Sequence, residues 1–466
     1  MAEETQISIR PSGREWSAML AADGDARSRR FREELGLPVD RPVIVSGHQA
    51  QVWHPGILAK AMASRAAADR VGGAGGERAA FVWLVVDQDD HEPFEVRYPV
   101  RLADGRLERR VWRMDGGAGL AGHEHVPTAN RAIARRVTAP SLAPGEAFAS
   151  AGVGAGLERI AGAMRGREGE ASAARQVALA TMDLMREVCP ADAVVFATAI
   201  ARTTLFAEVV ARLRADARAA RESYNAAVRE HPGAGVAELA ADELPLWHVP
   251  AKIGAARRKV TAAMLGSAPA TELAPRALLM TGLMRWAGGD LFVHGLGGAG
   301  ADGAGGYDCI TSRWLKDWLG AALAPTAMVT ATVRLEIPAP GGAITPEQIA
   351  RARWVAHSAR HRPSLLGDSQ AEAARGEAVA TLRRLRWKRD AASKRLKLEA
   401  YRGLHRTLEG VRARRAADLA RLEAEAASAA SRREEAEIIA DRTWAWPLYE
   451  AGQIAGLRGA IEREFE

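Results

Sequence analysis

The stretch VIVSGHQAQVWHPG, Val43–Gly56, sets the architecture of this chain. It opens as an apolar, β-branched strand. It then spends two glycines, a proline and two histidines before ILAKAMASRAAADR takes up a helical pattern. GGAGG closes that helix, and a second apolar strand, AAFVWLVVD, runs into QDDHEPFEV. Strand, loop, helix and strand at this spacing make a βαβ unit. Strands that are apolar on both faces predict a parallel sheet covered by helices, and so an α/β protein.

The flanking segments fit such a sheet. Gly13 to about Leu35 has helical spacing and is closed by Gly36 and Pro38. YPVRLADGRLERRVWRM alternates around an ADG turn and predicts a β-hairpin. Gly116 to Gly154 is rich in glycine, proline and alanine and is expected to be irregular, with helices resuming at Glu158 and Ala174. DAVVFATAI predicts a strand and FAEVVARLRADARAARESYNAAV one helix. ELPLWHVP, APRALLMTGLM and DLFVHGLGG predict three more strands, the last entering a glycine-rich loop before the helix of YDCITSRWLKDWL. ATVRLEIPAP predicts a further strand.

From about Gln370 to Asp441 there is no proline and almost no aromatic residue. Leucines there recur at three- and four-residue steps among arginine and glutamate, which predicts a coiled-coil hairpin or two long helices. Gly403 and Gly410, each weakening a helix by up to roughly 1 kcal/mol, are the expected bend. The expected organisation is a core over 1–365 with an insertion at about 97–180, coiled-coil helices over 366–445 and a tail over 446–466.

Composition narrows the function. Hydrophobic residues at 48% and charged residues at 26% are those of a globular protein. The first residues, MAEETQISIRPSGREW, lack the basic start and apolar run of a secretory leader, and no apolar run is long enough to span a bilayer. Cys189 and Cys309 are the only cysteines, which excludes a disulfide framework and a cysteine-built zinc site; a cytoplasmic location is expected. The net charge of +7 suits anionic metabolites or nucleic acid, although arginines on solvated helix faces are the plainer explanation.

Three loops carry unusual chemistry where strands lead into helices, the position at which open α/β sheets bind ligands. In the first, a helix starting near Pro55 would aim free backbone N–H groups at a phosphate or carboxylate. Gly47, Gln49, Gly56 and Lys60 would bind that anion, with His48 and His54 as electrostatic or acid–base groups. The alternative is a pair of histidines bonded to the backbone, with Trp53 filling the core.

The second loop packs Asp87, Asp89, Asp90, His91 and Glu92 together, so a cation must lie beside it: an arginine, a substrate ammonium or a metal. Asp89, Asp90 and His91 would hold an amine-bearing substrate or assist its deprotonation. A solvated turn with helix caps is the plainer reading, and no spacing such as HExxH supports a metal, so none is assigned. In the third, His294 ends a strand, Gly297 and Gly298 permit close approach, and Tyr307 and Asp308 stand before a helix that Asp308 would cap. It matches neither the dinucleotide fingerprint nor a P-loop, and a plain linker remains open. His123 to His125, HEH, falls in the expected irregular region.

These loops resemble those of the bacillithiol biosynthesis cysteine-adding enzyme family. Gly47, His48, Gln49, Trp53 to Gly56 and Lys60 match its first glycine- and glutamine-rich stretch with a downstream lysine. FVWLVVDQDDHE matches its acidic cluster after an apolar strand, while APRALLMTGLMR and HGLGGAG match its later segments. The chain departs from the pattern at His48 and at His54–Pro55–Gly56. The resemblance implies a Rossmann-like core with inserted segments and a C-terminal coiled coil that dimerises. It implies a ligase joining the cysteine carboxylate to the amine of glucosaminyl malate, a thiol or amino-sugar substrate, with ATP and Mg²⁺ as cofactors. No membrane is expected as partner. Nucleic acid, bound by the arginine-rich helix from Arg383 to Arg415, and a metal-dependent hydrolase rank below that reading.

Overall fold

A computed structural model describes residues 5–20, 25–70, 78–114, 128–299, 306–338 and 345–466. It shows a mixed α/β protein of two compact units. The larger comprises 1–100, 109–336 and 441–466, and the smaller 101–108 and 337–440. The motif HEH lies outside the described residues. No helix among them is long and apolar enough to cross a membrane.

The described strands are β1 (Gln6–Arg10), β2 (Val43–Gln49), β3 (Ala80–Val86), β4 (Glu95–Arg101), β5 (Leu107–Arg113), β6 (Ala147–Phe148), β7 (Ala193–Phe196), β8 (Glu243–His248), β9 (Arg258–Thr261), β10 (Leu273–Pro275), β11 (Leu291–His294) and β12 (Thr326–Thr332). Six form the main sheet in the order β1-β12-β11-β2-β3-β7. The last five of these are parallel, and β1 closes one edge antiparallel to β12. The chain passes from β2 to β3 to β7 in one direction, then resumes beside β2 with β11 and β12. The strand order therefore reverses between β2 and β11, which opens a crevice at their carboxyl ends.

Two aspartates fix where the strands start. Asp290, just before β11, accepts from the backbone N–H of Val43 at 2.7 Å and from Arg32 Nη2 at 2.9 Å. Asp192, just before β7, accepts from the N–H of Phe81 at 2.7 Å and from Arg65 Nη1 at 2.8 Å. Each carboxylate satisfies a backbone donor that the ladder leaves open, and so sets the register of a neighbouring strand.

Helix α1 (Pro55–Arg70) is buried along most of its length, and its alanines let it lie close on the sheet. Trp53, 1% exposed, packs on Trp83 of β3 with ring centres 4.4 Å apart and planes tilted by 39°, and donates Nε1–H to the Gln49 carbonyl at 3.1 Å. The anchored tryptophan holds the β2–α1 loop down. The tail belongs to this unit: Trp444, Trp446, Leu448 and Tyr449 are buried, and the N–H of Trp446 reaches the Trp53 carbonyl at 2.7 Å.

Several elements differ from expectation. APRALLMTGLM is a three-residue strand, β10, followed by helix α2 (Ala277–Leu283); a short buried apolar run does not distinguish the two. The single helix expected after Phe206 is two, Thr204–Ala215 and Ala217–Glu230. Asp216 breaks it by accepting from the N–H of Ala219 at 2.9 Å. Asp25 likewise starts a fresh helix, Ala26–Leu35, instead of lying inside one. Asp308 does not cap helix α3 (Tyr307–Leu319), whose N-cap is Gly306.

The smaller unit contains α4 (Pro346–Ala359), α5 (Ser369–Arg384), α6 (Ala391–Arg414) and α7 (Ala416–Ala440). α5 packs on α6, and α4 on α7. Gly403 and Gly410 lie inside α6 and mark no bend; the breaks fall at 385–390 and at Arg415.

Candidate functional site

The crevice beside β2 and β11 is a cavity of about 570 Å³ in the larger unit, the size of a small-molecule site. Gly47, His48, Gln49, His54, Gly56, Lys60, Asp89, His294, Gly297, Gly298 and Tyr307 all line it. Asp90, His91 and Asp308 are not among its lining residues.

The β2–α1 junction is tightly built. A Cβ on Gly47 would strike the Leu84 carbonyl, and one on Gly56 would lie 2.8 Å from the His54 ring and 2.9 Å from the Ala331 carbonyl. His54 Nδ1 accepts from the N–H of Gly56 at 3.1 Å, and the His54 carbonyl accepts from Ile57 and Leu58 at 3.0 and 3.3 Å. Pro55 has no N–H to offer. The helix start is thus closed by its own histidine, and the open anion site expected there does not exist.

The titratable groups of this junction are held short of charge. Burial, then the cations Arg442 and Lys60, push His54 down to about 4. The backbone bond fixes its tautomer with the proton on Nε2. Burial, followed by Lys60 and the other histidines, lowers His48 well below its usual value. As a neutral ring it accepts from Gln51 Nε2 at 3.1 Å. Lys60 is 5% exposed and donates to the Gly47 carbonyl at 2.6 Å, with its ammonium 5.6 Å from the Trp83 ring centre. Burial pushes it down to about 7, so it exchanges a proton near neutral pH.

The acidic loop solves its repulsion internally. Arg257 pairs with Asp89, reaches Asp90 with Nε at 3.1 Å and donates to the Gln88 carbonyl at 2.9 Å. Of the three cations the sequence allowed, an arginine of the chain lies against both carboxylates. Asp90 also accepts from Thr128 Oγ1 at 3.1 Å. His91 turns away, with Nε2–H on the Ala50 carbonyl at 3.0 Å. Asp87 is buried, and burial raises it to about 6 although Thr198 donates to it from both its N–H and its hydroxyl. Among the described residues no group of three or more His, Cys, Asp or Glu side chains could hold a metal.

On the third side, His294 is 3% exposed. Its Nδ1 lies 3.2 Å from the Tyr307 hydroxyl, its Nε2 2.8 Å from Asp308 Oδ1, and its ring stacks on Phe292 at 4.4 Å. Burial lowers its pKa against the pull of Asp308. Arg285, also buried, donates to the Ala324 carbonyl at 3.0 Å and lies 3.9 Å from Asp308. Gly298 is required: a Cβ there would sit 2.6 Å from the His294 ring.

The wall that sequence reasoning missed is basic and aromatic. Arg257 and Arg276 lie 4.1 and 4.8 Å from the Trp247 ring centre and line the cavity with it. Arg276 pairs with Glu243, which also takes Lys259 at 3.2 Å. Although burial opposes them, these two cations hold the Glu243 carboxyl below its usual range. Nothing in the sequence separates Arg257 from the other arginines, and Arg276, though inside the matched APRALLMTGLMR stretch, is not read there as part of the site. Gln88 also lines the cavity, with its Nε2 bonded to the Pro275 carbonyl.

One cavity thus collects two guanidinium groups, neutral imidazoles and a buried lysine held near 7. Comparison with profiles of known protein families finds no match, and comparison with curated proteins finds none either.

Proposed function

We propose that this chain is an amide-forming enzyme with a Rossmann-like core, which joins an amino acid carboxylate to the amine of an anionic small molecule. The resemblance to the cysteine-adding family makes cysteine and glucosaminyl malate the substrates to be tried first. The observation that carries the reading is Lys60, a buried lysine beside the neutral histidines of the first loop, lining the same cavity as Arg257 and Arg276. Arg257 and Arg276 are each paired with a carboxylate of the chain yet still line the cavity, and a carboxylate of an amino-sugar conjugate would share their remaining N–H groups. The amine must lose a proton before it attacks, and a lysine held near 7 is matched to accepting one at neutral pH. The neutral imidazoles of His48 and His54 serve as hydrogen-bond partners that add no charge.

ATP would supply activation of the carboxylate, but the residues present do not fit a Mg²⁺–triphosphate. The α1 start is closed by His54, and the cavity's carboxylate, Asp89, is already paired with Arg257. The carboxylate therefore has to arrive already activated, as an ester or thioester whose alcohol or thiol leaves as the C–N bond forms while Lys60 takes the amine proton; the chain's own contributions are binding, orientation and that proton transfer. Calorimetry with cysteine and with glucosaminyl malate, followed by mass spectrometry for the joined thiol after adding a cysteine ester as activated donor, tests the proposal. Binding of the malate conjugate that Arg276→Ala weakens about tenfold supports it. Failure of both compounds to bind at millimolar concentration, with no new amide, sinks it.

A further inference from the structure

The chain as a whole carries 64 Lys and Arg against 57 Asp and Glu. Residues 383–402, which are the end of α5, the turn and the first half of α6, hold nine Lys and Arg against two acids. That local excess equals the net charge of the entire protein, so outside this hairpin end the two signs balance. Eight of the nine cations are exposed. Among the described residues only Arg395 of the nine has a carboxylate at ion-pair distance, Glu399 at 3.4 Å.

The turn is a built structure. Asp390 starts α6 by accepting from the N–H of Ser393 at 2.8 Å, and Lys397 Nζ donates to the carbonyls of Arg386 and Lys388 at 3.2 and 2.8 Å. These bonds hold Trp387 outward: it is 81% exposed, with the Arg386 guanidinium 4.9 Å from its ring centre. A large aromatic kept in water amid unneutralised cations marks an interaction surface. Lys394, Arg395 and Lys397 interleave with Leu396 and Leu398, so α6 has no continuous apolar face of the kind that lies in a membrane. Two such tips would repel each other. A chain of phosphates with unpaired bases satisfies both features, the cations by counterion release and the tryptophan by stacking.

We propose that the α5–α6 hairpin end binds single-stranded nucleic acid, with phosphates on its lysines and arginines and an unpaired base on Trp387. This is independent of the amide-forming reading. The test uses the full-length protein and fluorescence anisotropy of labelled RNA and DNA single strands of about 20 nucleotides, beside a duplex of equal length. Binding at about 50 mM salt should weaken steeply with salt, with a log–log slope of about −3 to −5. Trp387→Ala should cost about fivefold or more, and Trp387→Phe should restore most of it. Replacing Lys388, Arg389, Lys394 and Arg395 together by alanine should flatten the slope by about 3. The relative affinity of the RNA and DNA arms identifies the preferred strand. No binding at low salt, unaltered binding by the variants, or a duplex held as tightly as the single strands would overturn the proposal. So would tighter association with phosphatidylserine vesicles, or a dimer that the same substitutions dissolve.

Discussion

The loops after β2 and β3 occupy the same topological position, side by side at the carboxyl ends of parallel strands, yet they handle charge in opposite ways. After β2, burial suppresses charge: His48 and His54 are held neutral and Lys60 is brought to about 7. After β3, charge is kept, and Arg257 answers Asp89 and Asp90 from elsewhere in the chain. The first arrangement leaves groups able to exchange protons with a ligand. The second is a closed internal contact that shapes the wall. A cluster of ionisable residues at a strand end therefore says little until its counterion is known.

Lys60 offers the largest effect on the first loop. Its folded value lies near 7 against a usual 10.5. Between those values the unfolded chain binds more protons, so this residue's contribution to stability rises with pH. Below about pH 7 the whole cost of burying the ammonium is present. Lys60→Met should therefore raise stability at pH 6 by about 2 kcal/mol, an advantage that shrinks towards pH 10. In the same variant turnover of the proposed reaction should fall about 10²–10⁴-fold. Thermal melts at pH 6, 8 and 10 give the first result. A variant less stable than wild type at pH 6 would mean that the lysine's bond to Gly47 outweighs its desolvation, and the contrast between the loops would be lost.

Arg257→Ala tests the second loop. Removing the cation leaves two partly buried carboxylates facing each other, at a cost of about 2 kcal/mol, less than for a fully buried pair. Asp89→Asn and Asp90→Asn in that background should recover part of the loss. Urea unfolding measures both, and a neutral Arg257→Ala would show that water serves the acids as well as the guanidinium does.

His54 gives a smaller, pH-dependent effect. Its folded value of about 4 lies below the usual 6.5, so the unfolded chain takes the proton first and stability is lost as pH falls from about 6.5 to 4. His54→Asn keeps a side-chain acceptor for the N–H of Gly56 and removes the titration. Its melting temperature should fall less than that of wild type between pH 7 and 5, by the equivalent of about 1–2 kcal/mol. Parallel curves would place the acid sensitivity elsewhere.

What was legible in the sequence follows the range of the forces involved. Apolar runs such as AFVWLVV announce buried strands because burial is a property of each residue, and the three loops were found because strand–loop–helix order is local. Arg257 and Arg276 were hidden because each meets its partners across long stretches of chain. The closure of α1 was hidden for another reason: whether His54 turns its ring back to the Gly56 N–H or out to a ligand depends on a side-chain torsion that spacing does not encode. Gly403 and Gly410 misled in the opposite sense. Glycine weakens a helix by only about 1 kcal/mol, and the packing of α5 on α6 outweighs that.

His91 should give the smallest effect, and it separates the two loops most cleanly. It stands among the acidic residues and looks from sequence like a member of the site. Its Nε2–H, however, is spent on the Ala50 carbonyl at 3.0 Å, and the ring does not line the cavity. That bond ties the loop after β3 to the residue just beyond β2, and is worth about 0.5–1.5 kcal/mol. His91→Asn should lower stability by no more than this in a urea melt and leave the affinity for a cavity ligand unchanged. His48→Asn, at the adjacent strand end, should weaken that ligand, because His48 does line the cavity. If His91→Asn weakened the ligand as much as His48→Asn, the acidic loop would act on the ligand beyond the lining that Gln88 and Asp89 provide, and the division between an exchanging loop and a closed one would fail.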